Sequence, residues 1–332
     1  MPRVSVILPV RDAAPTLGAA LRSALRQTLR DLELIVVDDG SSDGSRAIAE
    51  EVAARDARVR VIATPPRGVA AAANAGVAAA RAPLVARTDA DDVMHRDRLA
   101  LQVAALEGAS LDAVGTRVRL FPSANLGGGM ARYERWLNGL ATPADVARDR
   151  YIECPVANPS LMIRRDVLAG AGWRDRGWPE DWDLVLRLLA DGRRIGVVPR
   201  RLHAWRHAPG RLTTDHPDYS LDAFMKCRAH HLARGFLGAT DDYVLWGYGD
   251  TGRKLRAALA AEGKRAAWIV EVHPGRIGQV IHGAPVVARE RLPTIPRRPI
   301  VVSVAGESPR GEVRNALARM GFEETVDYVC AA

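Results

Sequence analysis

The first ninety residues alternate between short apolar runs and helix-like segments, and this alternation restricts the fold more than any other feature of the chain. Apolar runs typical of buried strands occupy residues 4–10, 32–39, 58–63 and 83–89. Apolar stripes or capping residues typical of helices occupy residues 15–27, 43–55 and 68–80. This order predicts a parallel sheet with right-handed crossovers, and therefore an α/β fold.

A similar pattern restarts after the glycine-containing segment 235–241. Strand and helix patterns then follow in the order 243–263 (strand, glycine turn, helix), 266–272 (strand), 298–306 (strand) and 309–321 (helix). We therefore expect two domains, one over residues 1–235 and a small α/β domain over residues 242–332.

The region between these two patterns is less regular. A helix is predicted over 179–192, because proline and two carboxylates open it and Gly192 ends it, and a second helix is predicted over 217–234. Residues 110–178 give no comparable pattern, and the glycine tract within 121–129 predicts a loop.

Charge and cysteine usage exclude several classes of protein. The net charge is +8, and all but three of the 47 basic residues are scattered arginines, so no basic stripe indicates a nucleic-acid partner. This charge suits phosphates or an anionic membrane surface, which leaves peripheral membrane contact open. Three widely spaced cysteines predict neither a disulfide framework nor a zinc site, and they fit a cytoplasmic protein.

The sequence does not predict a membrane span or a secretory leader. No uncharged apolar run approaches the roughly 20 residues that a bilayer requires. The apolar run at the N-terminus is short and meets Arg11 and Asp12 at once, so we interpret it as the first buried strand.

Two acidic clusters follow two of the predicted parallel strands. Asp38 and Asp39 end the second strand, and Asp89, Asp91 and Asp92 end the fourth. Carboxyl ends of parallel strands line the ligand crevice, and a D-x-D spacing can hold a divalent cation that also binds diphosphate oxygens. Aspartates are also common in turns for structural reasons. Two clusters at neighbouring strand ends favour a functional site.

Residues 3–210 resemble the family 2 glycosyltransferases through seven segments in the same order: VSVILPVRD, ELIVVDDGSSDGS, GVAAAANAG, LVARTDADDVMHRDRL, NPSLMIRRDVL with AGWRD, PEDWDLVLRL and WRH. The resemblance implies the glycosyltransferase A-type fold of nucleotide-diphospho-sugar transferases. It also implies transfer of a sugar from a nucleotide diphosphate to an acceptor hydroxyl with inversion, assisted by Mg2+ or Mn2+.

The resemblance assigns a nucleotide site to the first two strand ends. Pro9 and Arg11 match the segment that lines the nucleotide, Asp39 matches the aspartate that binds base and ribose, and Asp38 supports it. The family often carries an arginine before the asparagine of the third segment, where this chain has alanine. A phosphate or base contact is therefore either missing here or supplied by Arg67 or Arg87.

The resemblance assigns the chemistry to further acids and a histidine. Asp89 and Asp91 match the metal-and-diphosphate motif, with Asp91 as the more direct ligand. Asp92 is expected beside them among the donor-binding residues, in the position that faces the acceptor. Asp181 matches the catalytic base, which must stand across the sugar from the diphosphate. His207 matches a histidine that faces the leaving diphosphate or the metal.

Several of these residues also have plainer interpretations. Glu180 and Asp181 could simply complement the dipole of the helix that they open. His203, His207 and His216 lie in an arginine-rich stretch, where we expect surface positions. Trp173, Trp178 and Trp182 flank the expected base and are consistent either with stacking on sugars or with core packing.

The second domain carries a glycine pattern of its own. Gly247, Gly249 and Gly252 lie between a strand and a helix, and Glu271 ends the next strand. This is the dinucleotide pattern of a Rossmann-like domain, and it also resembles the small nucleotide-sugar-binding domains of certain bacterial sugar acyltransferases. The alternative is a structural turn in a domain that serves oligomerisation or docking.

The sequence therefore predicts an inverting, nucleotide-sugar-dependent glycosyltransferase with a saccharide or lipid-linked acceptor. One alternative is a sugar-phosphate nucleotidyltransferase, but the residues after the first strand lack the glycine-rich basic loop which that chemistry uses. The other is a nucleotide-sugar-binding regulatory protein, which would have no use for a general base.

Overall fold

The computed structural model describes residues 1–207 and 216–332, and the chain divides into two compact units. The first unit comprises Met1–Val146, Pro155–Arg176 and Asp183–His216. The second comprises Ala147–Cys154, Gly177–Trp182 and Pro217–Ala332. The second unit thus begins before residue 235, where the sequence places the boundary.

The first unit is built on an eight-stranded mixed sheet. Its strands are β1 (Val4–Val10), β2 (Leu32–Asp38), β3 (Val59–Ala63), β4 (Leu84–Arg87), β5 (Val93–Met94), β6 (Ala113–Phe121), β7 (Met162–Arg164) and β8 (Ile195–Arg206). They are arranged in the order β3-β2-β1-β4-β7-β6-β8-β5. The strands β1 to β4 are mutually parallel, as the sequence predicts, and β7 adds to β4 in the antiparallel sense.

Helices connect these strands. In chain order they are α1 (Ala14–Leu25), α2 (Ser45–Arg55), α3 (Val69–Ala79), α4 (Arg98–Gly108), α5 (Gly128–Gly139), α6 (Pro143–Asp149), α7 (Arg165–Ala171) and α8 (Glu180–Ala190). The helices α1 to α3 lie within two residues of their predicted bounds. The loop predicted over 121–129 is wrong in part, because the glycine tract opens α5 at Gly128.

The core of the first unit surrounds β1, which is buried along nearly its whole length. Helix α3 packs closely on this strand because residue 76 is glycine. A Cβ atom at Gly76 would lie 2.5 Å from Cγ2 of Ile7, closer than carbon atoms approach without a shift. The close packing of α3 on β1 therefore requires a residue without a side chain at position 76.

The second unit contains a six-stranded sheet and three further helices. Its strands are β9 (Asp242–Trp246), β10 (Arg265–Glu271), β11 (Val280–Ile281), β12 (Ala284–Ala288), β13 (Ile300–Val302) and β14 (Tyr328–Cys330), in the order β11-β12-β10-β9-β13-β14. The helices are α9 (Leu221–Arg234), α10 (Asp250–Ala261) and α11 (Glu307–Arg319). All strands except β11 run parallel, which is the α/β organisation that the sequence predicts for this region.

A buried arginine explains why α9 groups with the second unit. Arg228 donates hydrogen bonds to the carbonyl oxygens of Tyr151 (2.9 Å) and Ile152 (2.7 Å). Its guanidinium carbon lies 5.1 Å from the ring centre of Trp182. All of these partners belong to chain segments that the sequence assigns to the first domain, so a boundary drawn from composition alone cannot detect them.

Among residues 1–207 and 216–332, the helices are too short or too polar to traverse a bilayer.

We predict that Gly76→Ala destabilises the first unit by about 1–3 kcal/mol, because the added methyl group overpacks the contact with Ile7. The thermal unfolding midpoint measures this loss. Gly170→Ala in α7 is the matched control, since its Cβ meets no atom within 4 Å, and it should leave the midpoint unchanged or raise it. Equal midpoints for both variants would contradict the packing argument.

Candidate active site

The register of the parallel strands brings the predicted site residues to one edge of the first sheet. Val10 of β1 pairs with Asp38 of β2, and Ile7 of β1 pairs with Arg87 of β4. The residues that follow these strands therefore emerge side by side at their carboxyl ends. This is the edge at which open α/β sheets bind ligands.

Hydrogen bonds fasten the loop after β1 to the loop after β2. The Oδ1 atom of Asp12 accepts hydrogen bonds from the backbone N–H (2.7 Å) and the hydroxyl (3.0 Å) of Ser42, and these bonds lower the pKa of Asp12. In return, Asp43 accepts from the N–H of Ala14. The two loops thus form one hydrogen-bonded rim. Exposed Arg11 lies in this rim, and half-buried Pro9 lies beside it in β1.

The carboxylate of Asp39 fixes the loop that precedes α3. Its two oxygens accept hydrogen bonds from the N–H groups of Arg67 (2.8 Å) and Gly68 (2.9 Å). Gly68 adopts φ of 89°, a conformation that favours glycine. Asp38 accepts from the N–H of Ser41. Both aspartates are 3% exposed, and their expected contact with a nucleotide stays a prediction.

Three carboxylates form a cluster after β4. One oxygen from each of Asp89, Asp91 and Asp92 lies within 4.8 Å of the others. Oxygens around one octahedral Mg2+ or Mn2+ ion stand about 3–4 Å apart, and these cations prefer carboxylate ligands. The donor set therefore fits a divalent cation. His207 does not belong to this group, so its expected role as a ligand stays a prediction.

A buried arginine donates a hydrogen bond to one carboxylate of the cluster. Arg87 is 4% exposed, and its Nε–H donates to Asp89 Oδ1 at 3.3 Å. Its guanidinium carbon lies 5.3 Å from the ring centre of Trp173. The side chain of Asn74 accepts a hydrogen bond from the backbone N–H of Trp173 (3.0 Å) and donates one to the carbonyl oxygen of Trp173 (2.8 Å). Trp173 is therefore a core residue. Arg87 and Arg67 are both candidates for a phosphate contact, but Arg87 is buried and Arg67 is exposed.

A second buried chain of polar groups reaches the cluster from β8 and α4. His203 Nε2 lies 2.8 Å from Asp92 Oδ2, and His203 Nδ1 lies 3.0 Å from a guanidinium nitrogen of Arg98. Burial lowers the pKa of Arg98 to about 9, while the charges of Asp92 and Asp89 oppose this shift. The expected surface position of His203 is wrong, since it is 2% exposed. Sequence reasoning also missed Arg98, which no motif assignment marked.

The end of β8 fastens the acidic loop to the sheet. The N–H of Arg206 donates to Asp92 Oδ1 at 2.7 Å, and its Nε–H donates to the carbonyl oxygen of Asp91 at 2.9 Å. Both oxygens of Asp92 therefore have partners, and any contact between Asp92 and a substrate stays a prediction. His207 follows directly and bonds through its own N–H to the carbonyl oxygen of Phe121.

The predicted base lies in the second unit, in the first turn of α8. Asp181 is half-buried, and its Oδ1 accepts a hydrogen bond from the N–H of Trp182 at 2.7 Å. Its neighbour Glu180 accepts a hydrogen bond from the hydroxyl of Tyr219. Trp182 is fully buried and belongs to the core, whereas Trp178 is only half-buried. The expected position of Asp181 across the sugar from Asp91 stays a prediction.

The glycine turn after β9 has the local geometry that its sequence predicts. Gly247 adopts φ of 94°, and a Cβ at Gly252 would lie 2.2 Å from the carbonyl oxygen of Gly247. A Cβ at Gly249 would meet no atom within 4 Å, so the backbone is open to approach there. These are the three roles that glycines serve in a dinucleotide turn.

The acid that accompanies this turn is engaged within the protein. Glu271 accepts hydrogen bonds from the N–H groups of Tyr248 and Val272 and from Arg276. Burial opposes its ionisation, but these hydrogen bonds outweigh burial and lower the pKa of Glu271. Glu271 therefore braces the turn, and a nucleotide site at Gly247, Gly249 and Gly252 stays a prediction.

Comparison with known families agrees with the arrangement of the first unit. The model of the family described as "Glycosyl transferase family 2" matches residues 5–170, which is half of the chain. The chain belongs to glycosyl transferase family 2. The resemblance that the seven sequence segments indicate is thereby confirmed.

Curated relatives within this family include several bacterial glycosyltransferases. The uncharacterized glycosyltransferase EpsJ of Bacillus subtilis is 40% identical over 115 residues, which cover 35% of this chain and 33% of EpsJ. The succinoglycan biosynthesis protein ExoO of Rhizobium meliloti is 29% identical over 280 residues, covering 74% of this chain and 77% of ExoO. The matches span only 33%, 42% and 28% of the first three curated relatives.

Solved structures confirm the glycosyltransferase A-type fold. TarS 1–349 of S. aureus in complex with UDP-GlcNAc has a TM-score of 0.54 at 17% identity, covering 78% of this chain and 72% of TarS. The mannosyltransferase PcManGT of Pyrobaculum calidifontis, in complex with GDP-Man and Mn2+, has a TM-score of 0.50 at 25% identity, covering 79% and 69% of the two chains.

We predict that the glycosyltransferase family 2 chain binds one Mn2+ ion and that Asp91→Asn weakens this binding at least about 10-fold, because it removes a charged oxygen ligand. Titration of Mn2+ followed by electron paramagnetic resonance measures the affinity. Asp97→Asn is the control, since it removes the same charge from the same segment but outside the cluster. Equal affinities for both variants would contradict the assignment of the cluster.

Proposed function

We propose that this chain is an inverting glycosyltransferase that moves a sugar from a nucleotide-diphosphate donor to an acceptor hydroxyl. The observation that carries the proposal is the cluster of Asp89, Asp91 and Asp92 at the carboxyl edge of a family 2 glycosyltransferase sheet. Structures with this fold hold UDP-GlcNAc in TarS, and GDP-Man with Mn2+ in PcManGT.

The nucleotide diphosphate lies, on this proposal, against the rim formed by the loops after β1 and β2 and against the loop before α3. Pro9 and Arg11 line it, Asp39 with its neighbour Asp38 accepts hydrogen bonds from base and ribose, and the exposed Arg67 reaches a phosphate. The hydrogen bonds that Asp39 receives from the N–H groups of Arg67 and Gly68 support this arrangement, because they fix the loop next to the acid.

Asp91 and Asp89 would hold a Mg2+ or Mn2+ ion, and His207 is a further candidate ligand. When bound, the ion neutralises charge on the diphosphate that leaves. Two buried guanidinium groups, those of Arg87 and Arg98, already offset part of the charge of the three carboxylates. The Arg87 guanidinium donates to Asp89, and a divalent cation would offset more of the charge that remains on the cluster.

Asp181 serves as the general base. Its carboxylate takes the proton of the acceptor hydroxyl while that oxygen forms a bond to the anomeric carbon of the sugar. The bond from the anomeric carbon to the diphosphate oxygen breaks in the same step, and its electron pair leaves with the nucleotide diphosphate. This displacement inverts the anomeric centre, and the position of Asp181 in the first turn of α8 favours the ionised carboxylate that a base requires.

The acceptor, on this proposal, is a saccharide or a lipid-linked saccharide. A cytoplasmic location, contact with an anionic membrane surface and oligomerisation through the second unit remain predictions from the sequence. The glycine turn of the second unit is retained as a candidate nucleotide site, because Gly249 leaves its backbone open.

We predict that Asp181→Asn lowers turnover at least about 100-fold and leaves donor affinity within a few-fold, because the amide keeps the hydrogen bond to Trp182 but cannot take a proton. Release of UDP or GDP from UDP-glucose, UDP-N-acetylglucosamine and GDP-mannose measures turnover, with water as the acceptor. Isothermal titration with the same donors measures affinity.

Asp166→Asn is the matched control for this prediction. Asp166 is an exposed carboxylate in the first turn of α7, so its loss removes the same helix-terminal charge without a catalytic group. It should retain wild-type turnover. Full turnover in Asp181→Asn would refute the assignment of Asp181 as the general base. An equal loss of turnover in both variants would mean that Asp181 only complements the dipole of its helix.

A further inference from the structure

A continuous chain of buried polar groups runs from the acidic cluster into the sheet of the first unit. It begins at Asp92, passes through His203 and ends at Arg98, and the three residues are 0%, 2% and 0% exposed. The contacts are short, at 2.8 Å between Asp92 Oδ2 and His203 Nε2 and 3.0 Å between His203 Nδ1 and Arg98. None of these residues touches solvent appreciably, so their polar contacts lie within the protein.

The chemistry of Arg98 fixes the protonation of His203. A guanidinium carries only donors, so the Nδ1 atom of His203 must accept the hydrogen bond from Arg98. In the neutral ring the hydrogen then resides on Nε2, which donates to Asp92 Oδ2. The other oxygen of Asp92 accepts from the N–H of Arg206. The Asp92 carboxylate is thereby held by at least one donor on each oxygen.

Arg98 is itself anchored on several elements. It donates to Gln102 Oε1 (3.0 Å) and to the carbonyl oxygen of Arg87 (2.8 Å). Gln102 in turn donates to the carbonyl oxygens of Val114 and Ser160. Arg98 is thus tied to β4 directly and to β6 through Gln102.

Stability alone gives little reason for this arrangement. Burial of a guanidinium is unfavourable, and a well-packed apolar set of similar volume would serve the fold as well or better. This series of polar groups begins, however, at Asp92. One oxygen of Asp92 lies within 4.8 Å of an oxygen of each of the other two carboxylates in the cluster. Buried polar groups of this kind commonly orient the side chains that bind a metal ion, and this role offsets the unfavourable burial.

We propose that His203 is a positioning residue that orients the Asp92 carboxylate in the acidic cluster and thereby sets the affinity of the cluster for a divalent cation. The proposal rests on the proposed function insofar as that function places a cation at Asp89 and Asp91. His203 acts through Asp92 and touches neither the cation nor the donor.

The test compares His203→Phe, which keeps a ring but loses both polar atoms, with His203→Gln, which can present an N–H donor to Asp92. Mn2+ is titrated into the full chain without nucleotide, and electron paramagnetic resonance reports the dissociation constant. His203→Phe should bind Mn2+ about 10- to 100-fold more weakly, and His203→Gln should recover most of the affinity. Wild-type affinity in a folded His203→Phe, or equal loss in both variants, would overturn the proposal.

A second measurement covers the case in which His203→Phe does not fold. The wild-type chain is labelled with 15N-histidine, and the His203 resonances are assigned by their loss in His203→Gln. The spectrum should show a neutral ring with hydrogen on Nε2, and the Nε2 resonance should move as diamagnetic Mg2+ is added. A ring with hydrogen on Nδ1, or an Nε2 resonance that ignores saturating Mg2+, would overturn the proposal.

The same titrations separate this proposal from the proposed function. If the wild-type chain binds no Mn2+, the cation role of the acidic cluster fails and the proposal fails with it. If wild type and His203→Phe bind Mn2+ equally well, only the role of His203 fails. Rescue of His203→Phe turnover by excess Mn2+ would support the proposal further, because a purely structural defect would not respond to the cation.

Discussion

The first unit concentrates like charge at the carboxyl ends of its parallel strands, and the buried donors at that edge hold this charge in place. Three carboxylates stand with oxygens within 4.8 Å of one another, and at that separation each pair repels by roughly 3–4 kcal/mol at an effective dielectric constant of about 20. The fold opposes this repulsion with donors that it holds in place. Arg87 donates to Asp89, while His203 and the N–H of Arg206 donate to Asp92. The negative charge that remains can attract a divalent cation, and such a cation can in turn bind diphosphate oxygens.

The same edge shows how much of the fold the sequence determines locally. The strands β1 to β4 and their helices follow from apolar runs and caps, because each signal lies within one element. The acids at the strand ends follow as well, since parallel strands must deliver their carboxyl ends to one side. The ordered motifs resemble those of a known family, and the match of the family model over residues 5–170 confirms the family.

What the sequence could not give depends on pairings between distant segments. His203 lies in an arginine-rich stretch, and it becomes buried because β8 pairs with β5, where Met94 stands opposite it. Arg98 is buried only because His203, Gln102 and a backbone carbonyl meet it there. The role of Asn74 in holding Trp173 likewise joins residues 99 positions apart. No local pattern encodes contacts of this kind.

The second unit carries the complementary lesson. Its glycine turn folds as the motif predicts, because backbone conformation and close packing are properties of the local sequence. The use of Glu271 is not local, since the residue braces the turn through Tyr248 and Arg276. A motif thus predicts the shape of a turn more securely than it predicts the ligand.

The central claim is that the acidic edge binds a nucleotide diphosphate sugar together with a divalent cation. Thermal unfolding of the full chain with UDP-, GDP- and dTDP-sugars, each in Mn2+ and in EDTA, tests it most directly. The account predicts that at least one donor raises the unfolding midpoint in Mn2+, by an amount that corresponds to about 2.7 kcal/mol at 100 times its dissociation constant, and loses most of that effect in EDTA. No shift with any donor, or shifts that are the same in Mn2+ and EDTA, would contradict it.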